Sequence, residues 1–294
     1  DEGDTVITSR PTYLGAIQAW DAYGPKYVTV PLDDDGMCID ALEHQLEINP
    51  GAKLIYVLPN FHNPAGTTLP MERRHRLVEL ATAHRVLIVE DDPYGQLRYE
   101  GEDMSPLLAL GADNTVYTST FSKTLAPGVR LGWIVAPERV MTKIVQLKQG
   151  ADLHTSSFIQ LVVHDICEGG LLTEHITVVR EVYAERRDAM IKAMHTHFPP
   201  EVSWTRPEGG LFIWVRLPDA MDAEDVLQAA LEEGVAFVPG NAFFPNGSGG
   251  RSCMRLNFSH PSPETIERGI DRLGRIIRRQ MGRTRNPQLK VRQV

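Results

Sequence analysis

The chain has 294 residues, of which 42% are hydrophobic and 23% are charged, and these values predict a globular protein of one large or two modest domains. The net charge of −8 argues against nucleic acid as the main partner, and we interpret the basic residues of the tail, 271–294, as an exposed helix face and its end. We expect no membrane span, no signal peptide, no disulfide framework and no metal site, because apolar runs are short and the three cysteines are widely spaced, so the sequence predicts a cytoplasmic protein.

The first predicted strand covers residues 4–8 and is followed by Tyr13, beyond a turn in which Pro11 fits a helix start. An aromatic residue at a strand exit can belong to a binding site, but it also suits a plain core position. A second strand at residues 27–31 and a helix at residues 39–46 come next.

A continuous apolar run at residues 53–59 predicts a buried strand, which leads into the string Asn60-Phe61-His62-Asn63-Pro64-Ala65-Gly66. The Asn-Pro pair and the glycine make a tight turn that projects Asn63 from the strand end. Turn chemistry alone would explain this asparagine, so a functional role stays open at this point.

A helix at residues 71–84 and a strand at residues 86–90 deliver the next polar string, Asp91-Asp92-Pro93-Tyr94-Gly95. Seen alone, this string suits a structural loop or a metal-binding pair. Either carboxylate, Asp91 or Asp92, could face a ligand.

The β-branched run at residues 115–118 predicts another buried strand, and it leads into hydroxyl residues and a single lysine, Lys123. A turn broken by proline and glycine separates this lysine from Arg130. A lysine amine can bond covalently to an aldehyde, while Arg130 and Thr120 can hold a phosphate. The segment therefore suits a phosphorylated aldehyde, although a Ser-Lys pair can also belong to a plain solvated loop.

These apolar runs alternate with helices, which predicts an α/β fold with a mostly parallel sheet and helices on both faces. Ligands of such sheets bind beyond the carboxyl ends of the strands. The polar residues that fall just past predicted strand ends are Asn63, Asp91, Tyr94, Thr120 and Lys123. We therefore expect them to meet at one site.

The second half begins with a long predicted helix from Glu138 to about Cys167, in which Gly150 suggests a kink. The Glu168-Gly169-Gly170 string predicts a boundary between a large domain, residues 1–168, and a small α+β domain, residues 169–294. Arg255 lies inside an apolar strand of the small domain. Because a buried arginine is costly unless it is paired, Arg255 predicts either a structural ion pair or a ligand contact.

Four strings together resemble the fold-type I (class I and II) aminotransferases that use pyridoxal 5′-phosphate: Asn63-Pro64-Ala65-Gly66, Asp91-Asp92-Pro93-Tyr94, Thr120-Phe121-Ser122-Lys123 with Arg130, and Arg255-Leu256-Asn257-Phe258. The string at residues 148–155 is similar to the branch that acts on 2-aminoadipate and kynurenine. The resemblance implies the PLP-transferase fold, a homodimer, and a lysine-bound cofactor.

The resemblance also assigns roles residue by residue. Lys123 would bind the cofactor and move the reaction's proton, and Asp91 would keep the ring nitrogen protonated. Arg255 would bind the substrate α-carboxylate through two parallel hydrogen bonds, with Asn63 beside it. The remaining cofactor contacts implied are the stacking Tyr13, the phenolic-oxygen partners Asn63 and Tyr94, and the phosphate-loop residues Thr120, Ser122 and Arg130.

The implied reaction is amino transfer between a 2-aminoadipate-like L-amino acid and a 2-oxo acid, usually 2-oxoglutarate. Members of the family carry about a hundred residues before the position that matches the start of this chain. We therefore expect this chain to lack an N-terminal arm and a phosphate-gripping loop, and its first strand to lack its neighbours. Two other functions stay open, namely the effector domain of a MocR-type transcriptional regulator and a pyridoxal-phosphate-dependent lyase.

Overall fold

The computed structural model describes residues 1–285, apart from the side chains of residues 112, 246 and 283–285. The end of the predicted basic tail, residues 286–294, lies outside the described residues. Within the described part, no helix is both long and apolar enough to cross a membrane.

The larger of two sheets has seven strands. Its strands are β1 (Thr5–Arg10), β2 (Lys26–Asp33), β3 (Gly36–Met37), β4 (Leu54–Val57), β5 (Leu87–Asp91), β6 (Thr115–Thr120) and β7 (Gly132–Val135). They lie in the order β3-β2-β1-β4-β5-β6-β7. The five central strands, β2, β1, β4, β5 and β6, are parallel to one another, while β3 and β7 pair antiparallel at the two edges.

Nine helices accompany the sheets in the described residues. They are α1 (Leu14–Asp21), α2 (Ile39–Ile48), α3 (Met71–His84), α4 (Leu107–Leu110), α5 (Glu138–Asp152), α6 (Ser157–Glu168), α7 (Leu171–His197), α8 (Ala223–Glu232) and α9 (Pro263–Arg285).

Both faces of the large sheet pack against helices. Along β4, Ile55 and Val57 belong to a core with α2 and α3, whereas Tyr56 belongs to a second cluster with Ala16 of α1. This division follows from the pleat, because successive side chains of a strand point to opposite faces. Burying a large apolar side chain contributes about 1.5–3 kcal/mol, so the two clusters fix both the register and the facing of β4.

The smaller sheet is antiparallel and has its own core. Its strands are β8 (Ser203–Trp204), β9 (Phe212–Arg216), β10 (Val238–Pro239) and β11 (Cys253–Asn257), in the order β10-β11-β9-β8. The buried residues of this core lie between positions 190 and 281, and those of the large core between 7 and 107. Gly170, with φ of +77°, lies between α6 and α7, and the domain boundary at residues 168/169 stays a prediction.

The single helix predicted from Glu138 to about Cys167 is wrong, because two helices, α5 and α6, occupy this stretch. Leu153 ends α5 with φ of +63° and ψ of −67°, a conformation that no α-helix tolerates. Ser156 then caps α6 by accepting a hydrogen bond from the Ile159 amide at 3.5 Å. Gly150, where a kink was expected, lies inside α5.

Two expectations for the start of the chain also need correction. The first strand does not lack neighbours, since β1 lies between β2 and β4 and pairs with both. The first helix begins at Leu14 and not at Pro11, because Tyr13 is still extended, with φ of −67° and ψ of 119°. This extended segment places Tyr13 at the carboxyl edge of the sheet.

Candidate active site

The sequence-predicted residues lie at the carboxyl edge of adjacent parallel strands. Tyr13 follows β1, Asn63 follows β4, and Asp91 is the last residue of β5. Asp91 and Thr120 were both expected just past a strand but are instead the last residues of β5 and β6, and Lys123 follows β6. Since β1, β4, β5 and β6 are consecutive in the sheet, their exits form one continuous rim.

The Asp91 carboxylate is held by two hydroxyl donors. Tyr56 donates to Asp91 Oδ2 at 2.6 Å, and Thr118 donates to Asp91 Oδ1 at 3.2 Å. Burial raises the pKa of Asp91, although both hydroxyl bonds oppose the rise. No cationic side chain within the described residues forms an ion pair with it, so a cationic ligand group would stabilise the ionised form of this carboxylate.

Sequence reasoning missed Tyr56, which lies in the apolar run of β4. The only feature of the sequence that could have identified Tyr56 is its hydroxyl group, since the other residues of β4 are purely apolar. The ring packs edge-on against Trp20 of α1, with 4.9 Å between centroids, which leaves the hydroxyl directed along the sheet to Asp91.

The neighbouring carboxylate, Asp92, is engaged elsewhere. Its Oδ1 accepts from Asn60 Nδ2 at 3.0 Å and from the Gly95 amide at 2.9 Å, and its Oδ2 accepts from the Tyr117 hydroxyl at 3.1 Å. These bonds hold the loop after β5 and satisfy the Asp92 side chain. Asp91 is therefore the better candidate for a ligand contact, and Asp92 has a structural explanation.

Arg255 reaches from the small sheet to the turn after β4. Its Nη1 donates to Asn63 Oδ1 at 2.8 Å, and its Cζ lies 4.1 Å from the ring centroid of Phe212 and 5.0 Å from that of Phe243. Burial lowers the pKa of Arg255. Its Nε is buried without a hydrogen-bond partner, and no ion pair joins it to another described residue. The structural ion pair considered from the sequence is thus absent among residues 1–285.

Tyr94 and Tyr13 complete this part of the rim. Burial raises the pKa of Tyr94, the nearby Tyr13 and Asp91 raise it further, and the hydrogen bond from Asn63 opposes the rise. The Tyr13 ring folds over the backbone of Gly15, so that a Cβ at position 15 would lie 2.5 Å from Tyr13 Cζ. Glycine at this position leaves room for the ring, and any larger residue would displace it.

Lys123 is half-buried, and no described residue forms a hydrogen bond with its amine. Burial lowers its pKa, and the nearby positive charges of Arg255 and Arg130 lower it further. A lowered pKa increases the fraction of neutral amine, which is the form that attacks a carbonyl or accepts a proton.

The loop after β6 carries hydroxyl groups and a cation. Thr120 Oγ1 lies 3.0 Å from Ser122 Oγ and 3.1 Å from the Leu131 carbonyl, and it accepts from the Ser122 amide at 3.1 Å. Arg130 is exposed, adopts φ of +51° and donates to the Pro127 carbonyl at 3.2 Å. The loop therefore presents an anion-binding set beside Lys123.

Comparison with known proteins adds independent findings. Residues 1–273 match the sequence pattern of the family described as aminotransferase class I and II. An aromatic-amino-acid aminotransferase from Thermococcus litoralis is 45% identical over 284 residues, which are 95% of this chain and 68% of that protein. A 2-aminoadipate transaminase from Thermus thermophilus is 41% identical over 283 residues, 95% of this chain and 70% of that protein. The crystal structure of a kynurenine aminotransferase from Pyrococcus horikoshii matches with a TM-score of 0.93 at 43% identity, over 96% of this chain and 70% of that one.

Proposed function

Because this chain belongs to the aminotransferase class I and II family, we propose that it transfers the amino group of a 2-aminoadipate-like or aromatic L-amino acid to 2-oxoglutarate. The predicted PLP-transferase fold, the aminotransferase activity and the cofactor pyridoxal 5′-phosphate are confirmed by the family match and by related structures. The regulator and lyase alternatives are not favoured, because the relatives at 41% and 45% identity are aminotransferases.

The residues at the sheet rim fit this cofactor. A partly buried carboxylate that has no cationic partner among the described residues, Asp91, suits a protonated pyridine nitrogen. A lysine with a lowered pKa, Lys123, suits an aldehyde. Thr120, Ser122 and Arg130 supply hydroxyl groups and a positive charge for a phosphate.

Lys123 is proposed as the residue that bonds the cofactor and later accepts the proton that leaves the substrate Cα. When bound, pyridoxal 5′-phosphate supplies an aldehyde that takes up the amino group and a ring that withdraws electrons from the adjacent carbon. Burial and the charges of Arg255 and Arg130 lower the pKa of the Lys123 amine. A general base is most effective when its pKa lies near the working pH, so this lowering favours proton transfer.

Asp91 is proposed to hold the proton on the ring nitrogen, since an anion there stabilises the cationic ring. Tyr56 and Thr118 orient the Asp91 carboxylate through their hydroxyl groups. Asn63 and Tyr94 would donate to the phenolic oxygen, and Tyr13 would cover one ring face. Their grouping around one another supports this assignment.

The observation that carries the proposed substrate class is the partly buried guanidinium of Arg255, whose Nε is buried. Its Nε has no hydrogen-bond partner in the described part of the chain, and Phe212 and Phe243 flank the guanidinium group. An arginine fork binds a carboxylate through two parallel hydrogen bonds, and every L-amino acid and 2-oxo acid carries such an α-carboxylate. The free donor therefore supports Arg255 as the contact shared by both substrates.

A panel of amino donors with 2-oxoglutarate tests the proposed substrates. We expect 2-aminoadipate and aromatic or other long-chain amino acids to give the highest kcat/KM. If alanine or aspartate exceeded 2-aminoadipate by about tenfold, a 1.4 kcal/mol preference, the proposed branch would be wrong while the family would stand.

We also propose a cytoplasmic homodimer. Large apolar side chains are exposed on and between α5 and α6, among them Leu147 at 74%, Leu153 at 74% and Phe158 at 72%. Such a surface fits burial by a second copy. The three cysteines are free thiols, which fits a reducing compartment. Light scattering during gel filtration would measure the subunit number, and a monomer at micromolar concentration would contradict the proposal.

A further inference from the structure

The turn after β4 is fastened to both of its neighbours by buried side chains. On one side, Asn60 Nδ2 donates to Asp92 Oδ1 at 3.0 Å, at the exit of β5. On the other side, His62 Nε2 lies 2.9 Å from Ser9 Oγ, near the exit of β1. Asn60, His62 and Ser9 are 5%, 3% and 2% exposed. Since β4 lies between β1 and β5 in the sheet, these two bridges tie three consecutive strand exits together.

The bridge through Asn60 connects a fully buried guanidinium group with a partly buried carboxylate. Arg74 is fully buried, and its Nη2 donates to Asn60 Oδ1 at 2.6 Å. An arginine offers only donors, so Asn60 must present its oxygen to Arg74 and its amide hydrogens to Asp92. Asp92 in turn accepts from the Gly95 amide and the Tyr117 hydroxyl. The amide thus relays the attraction between Arg74 and Asp92 and fixes the loop that contains Tyr94.

The bridge through His62 has a defined direction. The Ala65 amide donates to His62 Nδ1 at 3.3 Å, so Nδ1 is unprotonated and Nε2 carries the hydrogen that is donated to Ser9 Oγ. Burial lowers the pKa of His62 to about 3, which keeps the ring neutral. One ring therefore holds the inside of the turn around Asn63 and, at the same time, the segment that leads to Tyr13.

We propose that Asn60 and His62 are positioning residues: they fasten the loop that carries Asn63 to the loops that carry Asp91 and Tyr94 on one side and Tyr13 on the other. This inference rests on the proposed function, because these four residues surround the assigned cofactor position. A displacement of about 1 Å in such groups can lower a rate by about a hundredfold. The bridges need not touch the cofactor to affect catalysis.

Two substitutions break the bridges selectively. Asn60→Asp retains an oxygen for Arg74 but places a second carboxylate against Asp92, so attraction becomes repulsion. Ser9→Ala removes the partner of His62 Nε2 and leaves the His62–Ala65 bond in place. Thr115→Val is the matched control, because Thr115 is fully buried and donates to the Gly111 carbonyl at 2.8 Å at the opposite end of β6. It tests the loss of a buried hydrogen bond away from the rim.

Hydrogen exchange of the cofactor-free protein measures the fastening directly. We expect Asn60→Asp to speed exchange at least about tenfold in the peptide containing Gly95, and Ser9→Ala to do so around Tyr13. In the holoenzyme, both variants should change the visible circular dichroism of the bound cofactor and lower kcat by about ten- to a hundredfold. Donor KM should change little, and Thr115→Val should match wild type in the spectrum and in kcat.

The inference would be overturned if Asn60→Asp and Ser9→Ala left exchange unchanged in both loops. It would also be overturned if both variants left the spectrum and kcat unchanged while lowering Tm as much as Thr115→Val does. If Asn60→Asp did not fold, Tyr117→Phe would remove the other side-chain bond to Asp92 and should produce the same exchange pattern. A wild-type protein without a visible cofactor band would instead refute the proposed function. The exchange experiment on the cofactor-free protein would still decide whether the bridges fasten the loops.

Discussion

The two halves of the sheet rim differ in how firmly they are held. In the loop after β4, every residue from 60 to 67 is buried, and its side chains bond to both neighbouring exits. In the loop after β6, residues 121–131 include only one buried residue, Thr124, and Lys123 has no hydrogen-bond partner within the described chain. We call the first the bridged half and the second the open half.

The difference separates two requirements of the same reaction. Groups that orient a ring must be fixed before it binds, and buried bridges provide that preorganisation. In the proposed reaction, Lys123 must bond the cofactor, release it and carry a proton, so its side chain needs freedom to move and a lowered pKa.

The largest expected effect comes from the open half. Lys123→Ala removes the amine that we propose to bond the cofactor and to carry the proton, and proton transfer by a positioned group contributes about 10²–10⁴-fold. We expect kcat to fall at least about a thousandfold. Lys143→Ala is the control, because Lys143 is exposed and, among the described residues, forms a hydrogen bond only with Gln146. A kinetic assay in which the two variants were equally active would contradict the assignment.

Within the bridged half, the two adjacent carboxylates should behave differently. Asp91→Asn should lower kcat by about a hundredfold, since the amide no longer holds the ring nitrogen protonated. Asp92→Asn retains an oxygen for its loop partners and should lower kcat by less. Steady-state kinetics of both variants would compare them. A greater loss in Asp92→Asn would mean that the carboxylate roles are reversed.

Arg255 joins the small sheet to the bridged half, and its substitution should affect binding rather than the chemical step. Arg255→Lys retains a charge but loses the fork, and a lost charged hydrogen bond costs about 1.5–3 kcal/mol. KM should rise by about ten- to a hundredfold for amino donors and for oxo acids alike. An increase for only one substrate class would show that Arg255 does not bind the shared α-carboxylate.

The smallest predicted effect concerns the stability of the bridged half in acid. His62 has a pKa of about 3 in the folded protein, below its ordinary value, so the unfolded chain binds the proton more tightly. Its contribution to stability is complete above about pH 6.5 and decreases as the pH falls toward 3, by about 2 kcal/mol at pH 5. Urea unfolding at pH 7 and pH 5 should show this loss in the wild type and not in His62→Gln. An equal pH dependence in both proteins would exclude the buried neutral histidine.

Much of the rim was predictable because its strands are continuous apolar runs. The runs ending near Asn63, Asp91 and Lys123 mark strand ends directly, and parallel strands bring those ends to one edge. Arg255 was also identifiable, since an arginine within an apolar strand requires a partner. Local sequence patterns were sufficient to place these residues near strand ends or in a strand, whereas their proposed roles came from the family resemblance.

The bridges were not predictable, because they depend on strand order. The pairing of Ser9 with His62 and of Asn60 with Asp92 requires β4 to lie between β1 and β5, which no local pattern specifies. Arg74 is fully buried, whereas the adjacent Arg73 forms an ion pair with Asp33 at the surface. The two arginines look alike in the sequence, and only packing distinguishes them.

Reductive labelling tests the central claim most directly. The claim is that the cofactor bonds covalently to Lys123 in the open half of the rim. Borohydride treatment of the holoenzyme followed by peptide mass spectrometry would locate the reduced adduct. The predicted result is a single cofactor-labelled peptide that contains Lys123. A label on Lys143 or Lys148, with the Lys123 peptide unmodified, would contradict the account.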